Sequence, residues 1–413
     1  MRTLLLAIGF VLLLHPAAHS AVWEVPSVPC PTIQAGIDSA AFGDTVLVLP
    51  GSYNENLIMR DGVVLLGRDG WSSTFLQPKA TGAPIISCTD LSDATEINGF
   101  TIRNGFDEDG AGIHCLRSSL LIALNYLDEN VAENVGGAVA SFSGSDATIE
   151  KNVFRANRAG YMGGGVYCET SGPAIRENEF FLNRGDWGGA IACTHGADPD
   201  IRDNKIHRNT CSWQGAGIYC RYDCELIIED NVINLNDAGG TGGGMFIQEG
   251  SSADIRRNLV ANNEALDGGG IQVTMSAYGL CEENTVYGNV ATRTGASWIT
   301  SNNMSTIEVY RCIVARCGPR PAISCELGGT ATLDCNCLWG NTTDYYDCAA
   351  GPNDFHEDPL FCGEYVGDFT LQSCSPCVDG YGCGQVGAFG VGCDCGSTAT
   401  TPSTWGNIKA MYR

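Results

Sequence analysis

An asparagine that returns every 26 or 27 residues is the feature that most constrains this chain. Seven copies occur between positions 125 and 289, and a second asparagine follows each of them by five residues. The first row is Asn125, Asn152, Asn178, Asn204, Asn231, Asn258 and Asn284. The second row is Asn130, Asn157, Asn183, Asn209, Asn236, Asn263 and Asn289. A constant period in the twenties, built from short segments and turns, is typical of a solenoid in which each repeat forms one coil.

Short apolar segments keep a constant place within each repeat. One apolar residue stands three positions before the first asparagine and another stands two positions after it, as Ile149 and Phe154 do around Asn152. Segments such as 165–168 are bounded by glycine or asparagine and are too short for helices. One repeat holds about three strands and three turns, so equivalent residues stack about 4.8 Å apart as ladders inside a three-sided parallel β-helix.

The paired asparagines are predicted to form hydrogen-bonded ladders of their own. Asparagine tolerates the left-handed conformation of tight turns, and each buried amide bonds the amides above and below it. Ligand binding by the asparagine rows is the alternative. The presence of the pair in all seven coils favours the structural role.

The N-terminus and the charge predict where the protein acts. Residues 1–20 contain an apolar run after Arg2 and small residues before Ala21, which indicates a signal peptide cleaved after Ser20. The net charge of −24 argues against a nucleic-acid partner, and we attribute it to solubility rather than to cation binding. No later segment is apolar enough to be a transmembrane span. We expect a secreted, extracellular or outer cell-surface protein, and a monomer.

The chain contains 21 cysteines, which after a signal peptide indicates an oxidising compartment. Twelve of them lie between Cys312 and Cys395, so we expect disulfides in that region. The pair Cys374 and Cys377 has the spacing of half a zinc site, but no second pair accompanies it, which favours disulfides. In the regular coils, three cysteines occupy the same position of successive repeats. They form either one disulfide or a ladder of small side chains. These are Cys168, Cys193 and Cys220.

The N-terminal part carries a resemblance to a known fold. Residues 32–40 have helical spacing, with Thr32 as the capping residue, and such a helix would cover the exposed edge of the first coil. The stretch 43–56 then reads Gly-Asp-Thr-Val-Leu-Val-Leu-Pro-Gly-Ser-Tyr-Asn-Glu-Asn. This passage resembles the N-terminal part of pectin-lyase-like β-helix proteins, and the resemblance implies a right-handed helix.

Two further resemblances extend over most of the mature chain. The FxxN repeats at Phe154 and Phe180 and the Gly-Gly-Ala-Ile at 188–191 are similar to the repeats of polymorphic outer-membrane proteins. The segment around 358–389 resembles the C-terminal end of secreted bacterial β-helix repeat proteins. We therefore predict an all-β, right-handed, three-sided parallel β-helix of about ten to twelve coils, with a short N-terminal capping helix. The predicted divisions are a signal peptide 1–20, an N-terminal cap and first coils 21–90, regular coils 91–311, Cys-rich terminal coils and cap 312–396, and a tail 397–413 that is either a sorting tag or a frayed end.

Candidate binding residues are those that depart from the structural pattern and still stack. Tyr161, Trp187 and Trp213 each stand nine residues after a first-row asparagine. We predict that they form one exposed row on which sugar rings stack, with Arg158 and Arg184 as donors to carboxylate or hydroxyl groups. The alternative is that these rings shield the core. On later coils the corresponding positions are acidic. These residues either bind calcium or form a solvated face. The acidic residues are Asp237, Glu264 and Asp267.

Three functions follow from this pattern. The motifs of polysaccharide lyases, polygalacturonases and pectin methylesterases are absent from the sequence, and spacing assigns no carboxylate pair. We therefore expect a protein that binds polysaccharide or a cell-surface glycan without catalysis, without a required cofactor and with no assigned catalytic residue. The first alternative is a pectate-lyase-like polysaccharide lyase that uses Arg158 or Arg184. The second is a structural spacer or adhesin-like surface protein.

Overall fold

The computed structural model describes residues 20–397. The predicted signal peptide, except for Ser20, and the tail after Ser397 lie outside the described residues. Each coil passes in turn through sheets that we call sheet I, sheet II, the corner sheet and sheet III. Within each of these sheets every strand pairs in parallel with the equivalent strand of the next coil. The chain is thus a parallel β-helix of about twelve coils, with the three long sides that the sequence predicts and a fourth, shorter sheet at one corner.

Sheets I and II meet at the first asparagine row. The strands of sheet I are Val22–Val25, Thr45–Val48, Val64–Gly67, Glu96–Asn98, Leu121–Ala123, Thr148–Glu150, Ala174–Arg176, Asp200–Arg202, Glu225–Glu229, Ser252–Arg256, Tyr278–Glu282, Thr306–Tyr310 and Thr330–Asp334. The strands of sheet II are Gly51–Asn54, Thr74–Gln77, Thr101–Arg103, Tyr126–Asp128, Val153–Arg155, Glu179–Phe181, Lys205–His207, Val232–Asn234, Leu259–Ala261, Thr285–Tyr287, Ile313–Ala315 and Cys337–Trp339.

The corner sheet and sheet III complete each coil. The strands of the corner sheet are Phe106–Asp109, Val131–Val135, Arg158–Ala159, Arg184–Trp187, Thr210–Gln214, Asp237–Thr241, Glu264–Asp267 and Val290–Thr294. The strands of sheet III are Leu57–Ile58, Ile86–Thr89, Ile113–Leu116, Val139–Phe142, Val166–Glu169, Ile191–Thr194, Ile218–Arg221, Met245–Ile247, Ile271–Val273, Ile299–Ser301, Ile323–Cys325 and Tyr345–Tyr346.

A single α-helix among the described residues, Ile33–Ser39, lies against the first coil. The Thr32 side chain accepts a hydrogen bond from the backbone N–H of Ala35, which confirms the predicted cap. Ile33 and Ile37 are buried on the same face. The predicted capping helix is therefore present, and it covers apolar surface that the first coil would otherwise expose.

The interior consists of stacked apolar rows, as the sequence predicts. Ile149, Ile175 and Ile201 are register partners in sheet I and are fully buried. In sheet II, the rings of Phe154 and Phe180 stack with centroids 4.4 Å apart and planes 7° from parallel. Burial of these rows removes apolar surface from water along the whole length of the molecule.

Both asparagine ladders form, with amide–amide distances of 2.9–3.2 Å. The conformational reason differs from the one expected from the sequence. The left-handed residue is the one before each asparagine, such as Lys151 (φ 55°) before Asn152 and Glu177 (φ 54°) before Asn178. The asparagine itself supplies the hydrogen bonds that hold this turn against the neighbouring coils.

The C-terminal residues fold back along the side of the solenoid. Three strands, Phe361–Gly363, Asp368–Gln372 and Val391–Cys393, form a small sheet, and three 3₁₀ turns accompany it, Glu364–Val366, Pro376–Val378 and Gly380–Gly382. Phe369 packs on Tyr287 of sheet II, with ring centroids 5.1 Å apart. The backbone N–H of Ala388 donates to Thr285 Oγ1 at 2.9 Å. This segment therefore covers the outer face of sheet II over the last coils.

Eight of the twelve C-terminal cysteines form disulfides. The pairs are Cys325–Cys348, Cys335–Cys383, Cys362–Cys393 and Cys374–Cys395. The remaining thirteen cysteines are buried thiols. Cys168, Cys193 and Cys220 are register partners among these thiols, so a ladder of small side chains, and not a disulfide, occupies this phase.

Candidate functional site

A left-handed glycine shapes the corner between the corner sheet and sheet III. Gly188 follows Trp187 with φ 64°, and a Cβ atom there would lie 2.6 Å from the Ala192 Cβ. Glycine adopts this conformation without a steric penalty. Equivalent glycines follow the corner strand on the neighbouring coils. They are Gly136, Gly163, Gly215, Gly242, Gly268 and Gly295. The glycine pairs of the sequence therefore mark a sharp bend that separates two outward-facing surfaces.

The corner strands expose one side and bury the other. Small residues such as Ala159, Cys211 and Ala238 face the interior. Arg158 and Arg184 are register partners on adjacent coils, and both side chains are exposed. Neither guanidinium forms an ion pair or a side-chain hydrogen bond with any residue in the range 20–397. Two like charges thus lie on neighbouring strands, although like charges in this arrangement are destabilising.

The three predicted aromatic residues do not form one row. Trp187 is the register partner of Met162 and of Gln214, so it lies one position away from the phase of Tyr161 and Trp213. The coil that contains Trp187 is one residue shorter here, which counting from the asparagine does not reveal. The Tyr161 and Trp187 rings meet edge to face with centroids 4.8 Å apart. Within the described part of the chain, Trp213 makes no ring contact with either of them.

Of the three predicted aromatic residues, Tyr161 and Trp213 are exposed, at 42% and 56%. They share one phase two coils apart, which corresponds to about 10 Å. Asp186 holds this phase on the coil between them, and its Oδ1 accepts a hydrogen bond from the Ser212 hydroxyl at 2.7 Å. Trp187 is half-buried. The corner therefore presents two rings on either side of a carboxylate, with the third ring as support.

A second apolar cluster lies beneath Trp187, on the outer face of sheet III. It contains Met162, Tyr167, Tyr219 and Phe246, all buried. The Tyr167 hydroxyl donates to Glu169 Oε2 at 2.7 Å, and Gln248 Nε2 donates to the Tyr219 hydroxyl at 2.7 Å. Burial raises the pKa of Tyr219 to about 12. The sequence analysis did not identify this cluster. The one sequence signal for it is a tyrosine directly before a ladder cysteine, which occurs at 167–168 and again at 219–220. Their burial makes them a rigid base for the corner.

A cleft opens at the far end of the same corner, and we call it the terminal cleft. Its volume is 620 Å³. The residues that line it are Thr294, Gly295, Arg320, Pro321, Glu326, Leu327, Tyr346 and Asp347. Asp267 adjoins this lining through Thr294, whose hydroxyl donates to Asp267 Oδ2 at 3.1 Å. The sequence analysis placed Asp267 in an acidic patch and did not identify Glu326 at all.

The pKa values of the Asp267 and Glu326 carboxyl groups are both raised. Burial raises the pKa of Asp267, against the opposing effects of the Thr294 hydrogen bond and of Arg293 and Arg320. Burial and then the negative charge of Asp267 raise the pKa of Glu326. Desolvation and mutual repulsion thus both disfavour the ionised forms of these two carboxyl groups.

The acidic residues proposed as a calcium site divide between two surfaces. Asp237 and Glu264 are exposed register partners on the outer row of the corner sheet. Asp267 follows a register shift after Ala265 and lies at the terminal cleft instead. Across residues 20–397, no group of three or more His, Cys, Asp or Glu side chains is arranged to hold a metal ion.

The fold and its corner define the class of protein: a long parallel β-helix whose side, not its interior, carries the candidate site. Residues 84–242 and 189–356 match the family described as the right handed beta helix region. The chain therefore belongs to the right-handed β-helix family. No helix within 20–397 has both the length and the apolar character to cross a membrane.

Solved structures give two similarities. The A-module of the mannuronan C-5 epimerase AlgE6 from Azotobacter vinelandii is 15% identical, with 79% of this chain and 93% of that chain covered and a TM-score of 0.40. The A-module of AlgE4 from the same organism is 14% identical, with 79% and 95% covered and a TM-score of 0.32. No curated protein matches the sequence. These similarities concern the fold, and we assign no activity from them.

Proposed function

We propose that the protein is a secreted or cell-surface β-helix protein that binds a polysaccharide or glycan along its corner. The observation that supports this proposal most directly is the pair Arg158 and Arg184, two exposed guanidinium groups on adjacent coils that have no ion-pair partner within residues 20–397. The chain has 47 acidic residues against 23 basic ones, so counter-charges are plentiful elsewhere on the molecule. Guanidinium groups left without a partner beside exposed rings are available to a ligand that offers carboxylate or hydroxyl oxygens.

The exposed rings supply the apolar part of this surface. Tyr161 and Trp213 lie about 10 Å apart along the helix axis, a distance comparable to the length of a disaccharide. Sugar rings stack on aromatic faces, while the arginines and Asp186 offer donors and an acceptor for hydroxyl groups. The four disulfides support an extracellular location, because such bonds persist in oxidising compartments.

A retention experiment tests this proposal. The mature protein is passed over immobilised plant, algal and bacterial polysaccharides, with Arg184→Ala and Trp213→Ala as variants. Arg117→Ala is the matched control, because Arg117 is exposed on another side and pairs with Asp90. We expect retention that falls about tenfold or more in both corner variants and is unchanged in the control.

Other outcomes favour the alternatives. Cleavage of an acidic polymer that depends on Arg184 would favour a lyase, in which this arginine removes a proton from the substrate. Absence of retention on every polymer would contradict the binding proposal and favour a structural spacer. Equal retention by wild type and both corner variants would place the binding surface elsewhere.

A further inference from the structure

The outward-facing residues of the corner sheet have an order of charges that the binding proposal does not use. One residue of each strand is the register partner of the equivalent residue on the next coil, and together these residues form a row along the helix axis. In chain order the row is Val131, Arg158, Arg184, Thr210, Asp237, Glu264 and Val290. Two arginines precede Thr210, and two acidic residues follow it at the same spacing. We call this series the charge row.

The four charged side chains of the charge row are exposed and have no partner in the part of the chain that the structure describes. Arg184 and Asp237 are two coils apart, about 10 Å, and they do not pair with each other. Each half of the row also places like charges on neighbouring strands, which repel. A single copy of the protein therefore leaves both halves of the row without their counter-charges.

A second copy in the opposite orientation would supply these counter-charges. A two-fold axis that runs parallel to the corner strands, through Thr210, reverses the order of the coils in the partner. Arg184 then faces the partner's Asp237, and Arg158 faces the partner's Glu264. Each contact forms twice, as in any interface with two-fold symmetry. Two copies with the same orientation would place arginine opposite arginine, so the charges favour the antiparallel arrangement.

The exposed apolar residues beside the charge row follow the same symmetry. Trp213 lies on the strand of Thr210, so the axis brings the Trp213 rings of the two copies next to each other. Tyr161 precedes Trp213 by two coils, and register places the exposed Leu266 at the same position two coils after it. Tyr161 of one copy therefore faces the partner's Leu266. On the coil between Trp213 and Leu266 this position is Gly240, which leaves room for the approach.

The size and the charge of the molecule set the strength of such a contact. Arg158 and Glu264 are four coils apart, which corresponds to about 20 Å. A contact of this length is smaller than a permanent interface, so the dimer should form at high protein concentration and dissociate on dilution. The net charge of −24 on each chain opposes association. Salt at about 0.15 M screens charges that are more than about 8 Å apart, and it weakens close ion pairs much less.

We propose that the corner sheet is the interface of an antiparallel homodimer, in which the charge rows of two copies pair with each other. This inference goes beyond the proposed binding function, which requires one copy and gives Asp237 and Glu264 no role. Both uses of the corner involve Arg184 and Trp213, so a polysaccharide and a second copy compete for it. From the sequence we expected a monomer, because the order of the charges becomes visible only when the corner strands are aligned by register.

Charge reversal tests the pairing. Sedimentation velocity of the mature protein is measured without polysaccharide, at roughly 100 μM protein, a concentration suited to an interface below the standard size. We expect a dimer for the wild type. Arg184→Glu and Asp237→Arg should each weaken dimerisation about tenfold or more, because each variant places like charges opposite each other. The two substitutions together should restore the dimer, since the reversed side chains again face opposite charges across the interface.

A cross-link tests the position of the two-fold axis. Thr210 is exposed and lies on the axis, so Thr210→Cys should form a disulfide between two copies under mild oxidation. The thirteen thiols of the wild type are buried and should not interfere. Thr330→Cys is the matched control, because Thr330 is exposed on sheet I, away from the corner. The control should remain uncross-linked.

The outcomes separate the dimer from folding and from polysaccharide binding. Melting temperatures of the charge variants should stay close to that of the wild type, because the substituted side chains are exposed. Sedimentation is measured without polymer, and retention is measured on immobilised polymer, so failure of one proposal is distinguishable from failure of the other. A monomeric wild type at this concentration, or a combined variant that dimerises no better than Arg184→Glu alone, would overturn the dimer proposal.

Discussion

Asn157 Oδ1 accepts two hydrogen bonds from Asn130, one from its backbone N–H at 3.1 Å and one from its Nδ2 at 3.0 Å. Asn157 Nδ2 in turn donates to the carbonyl oxygen of Leu127 at 2.9 Å and to Asn183 Oδ1 at 3.0 Å. The amide thus makes all four of its hydrogen bonds in the interior. This arrangement repeats along both rows and fixes each coil to the next.

Asn157→Ala should lower the free energy of unfolding by about 3 kcal/mol or more, because it leaves buried donors and acceptors without partners on both neighbouring coils. Urea unfolding followed by circular dichroism measures this loss. Asn134→Ala is the control, since its side-chain hydrogen bond to Glu108 is exposed. The control should change stability by less than about 0.5 kcal/mol. Equal stabilities of the two variants would contradict the structural role of the ladder.

The adjacent residues Phe180 and Phe181 offer a matched pair, because one faces the interior and the other faces outward. Phe180 is fully buried and stacks on Phe154, whereas Phe181 is half-buried and stacks on His207. Phe180→Ala should cost about 3–5 kcal/mol through lost burial and the resulting cavity. Phe181→Ala should cost about 1 kcal/mol. Urea midpoints of the two variants test the direction in which this strand faces, and the reverse order would show that the register is wrong.

Asp267→Asn should make the protein more stable at neutral pH. The folded-state pKa of Asp267 lies above its usual value of 3.8, so the folded state binds the proton more tightly than the unfolded state does. Stability from this group is therefore present below pH 3.8 and is lost as the pH rises through the folded pKa. The melting temperature of the variant should exceed that of the wild type at pH 7, and the difference should vanish below pH 3.8. A variant less stable than the wild type at pH 7, with Asp237→Asn unchanged, would contradict the desolvated environment.

The cysteines should divide into eight in disulfides and thirteen free thiols. Titration with a chromogenic disulfide reagent in guanidinium chloride should therefore count thirteen thiols, and titration after reduction should count all 21. The native protein should react slowly, because all thirteen are buried. A count below thirteen in the denatured, unreduced protein would reveal further disulfides, and Cys168 with Cys193 would be the first pair to map.

The sequence predicts the coils because the same interactions recur in every one of them. The ladders that contain Ile149, Asn152 and Phe154 each consist of residues at equal spacing, so the repeat in the sequence is enough to identify them. The corner is different. Trp187 lies inward of Tyr161 and Trp213 because its coil is shorter by one residue, and a shift of one residue reverses the direction of a side chain. Counting residues from each first-row asparagine placed Tyr161, Trp187 and Trp213 at the corner. It did not predict that Trp187 faces a different direction from the other two rings.

The terminal cleft was beyond prediction for a second reason. Asp267 and Glu326 belong to coils two apart, and no motif connects them in sequence. Their proximity depends on the left-handed bend at Gly295 and on the path of the chain from Arg320 to Glu326. The position of the C-terminal segment was equally hard to predict, since its contacts join Ala388 to Thr285, 103 residues apart, and Phe369 to Tyr287, 82 residues apart.

The amide-to-amide hydrogen bonds that recur along both asparagine ladders have a consequence for how such a chain changes over generations. A coil can be duplicated or deleted as a unit, because the interior above it offers the same carbonyl and amide groups as the interior below. The asparagine ladders therefore do not distinguish one coil from another, whereas the apolar rows beside them do, as the change from Phe180 to Ile206 shows. Side chains that do not repeat, such as Arg184, Trp213 and Asp267, distinguish one coil from the next, so exchange of whole coils would preserve the ladders while it changes the outer surface.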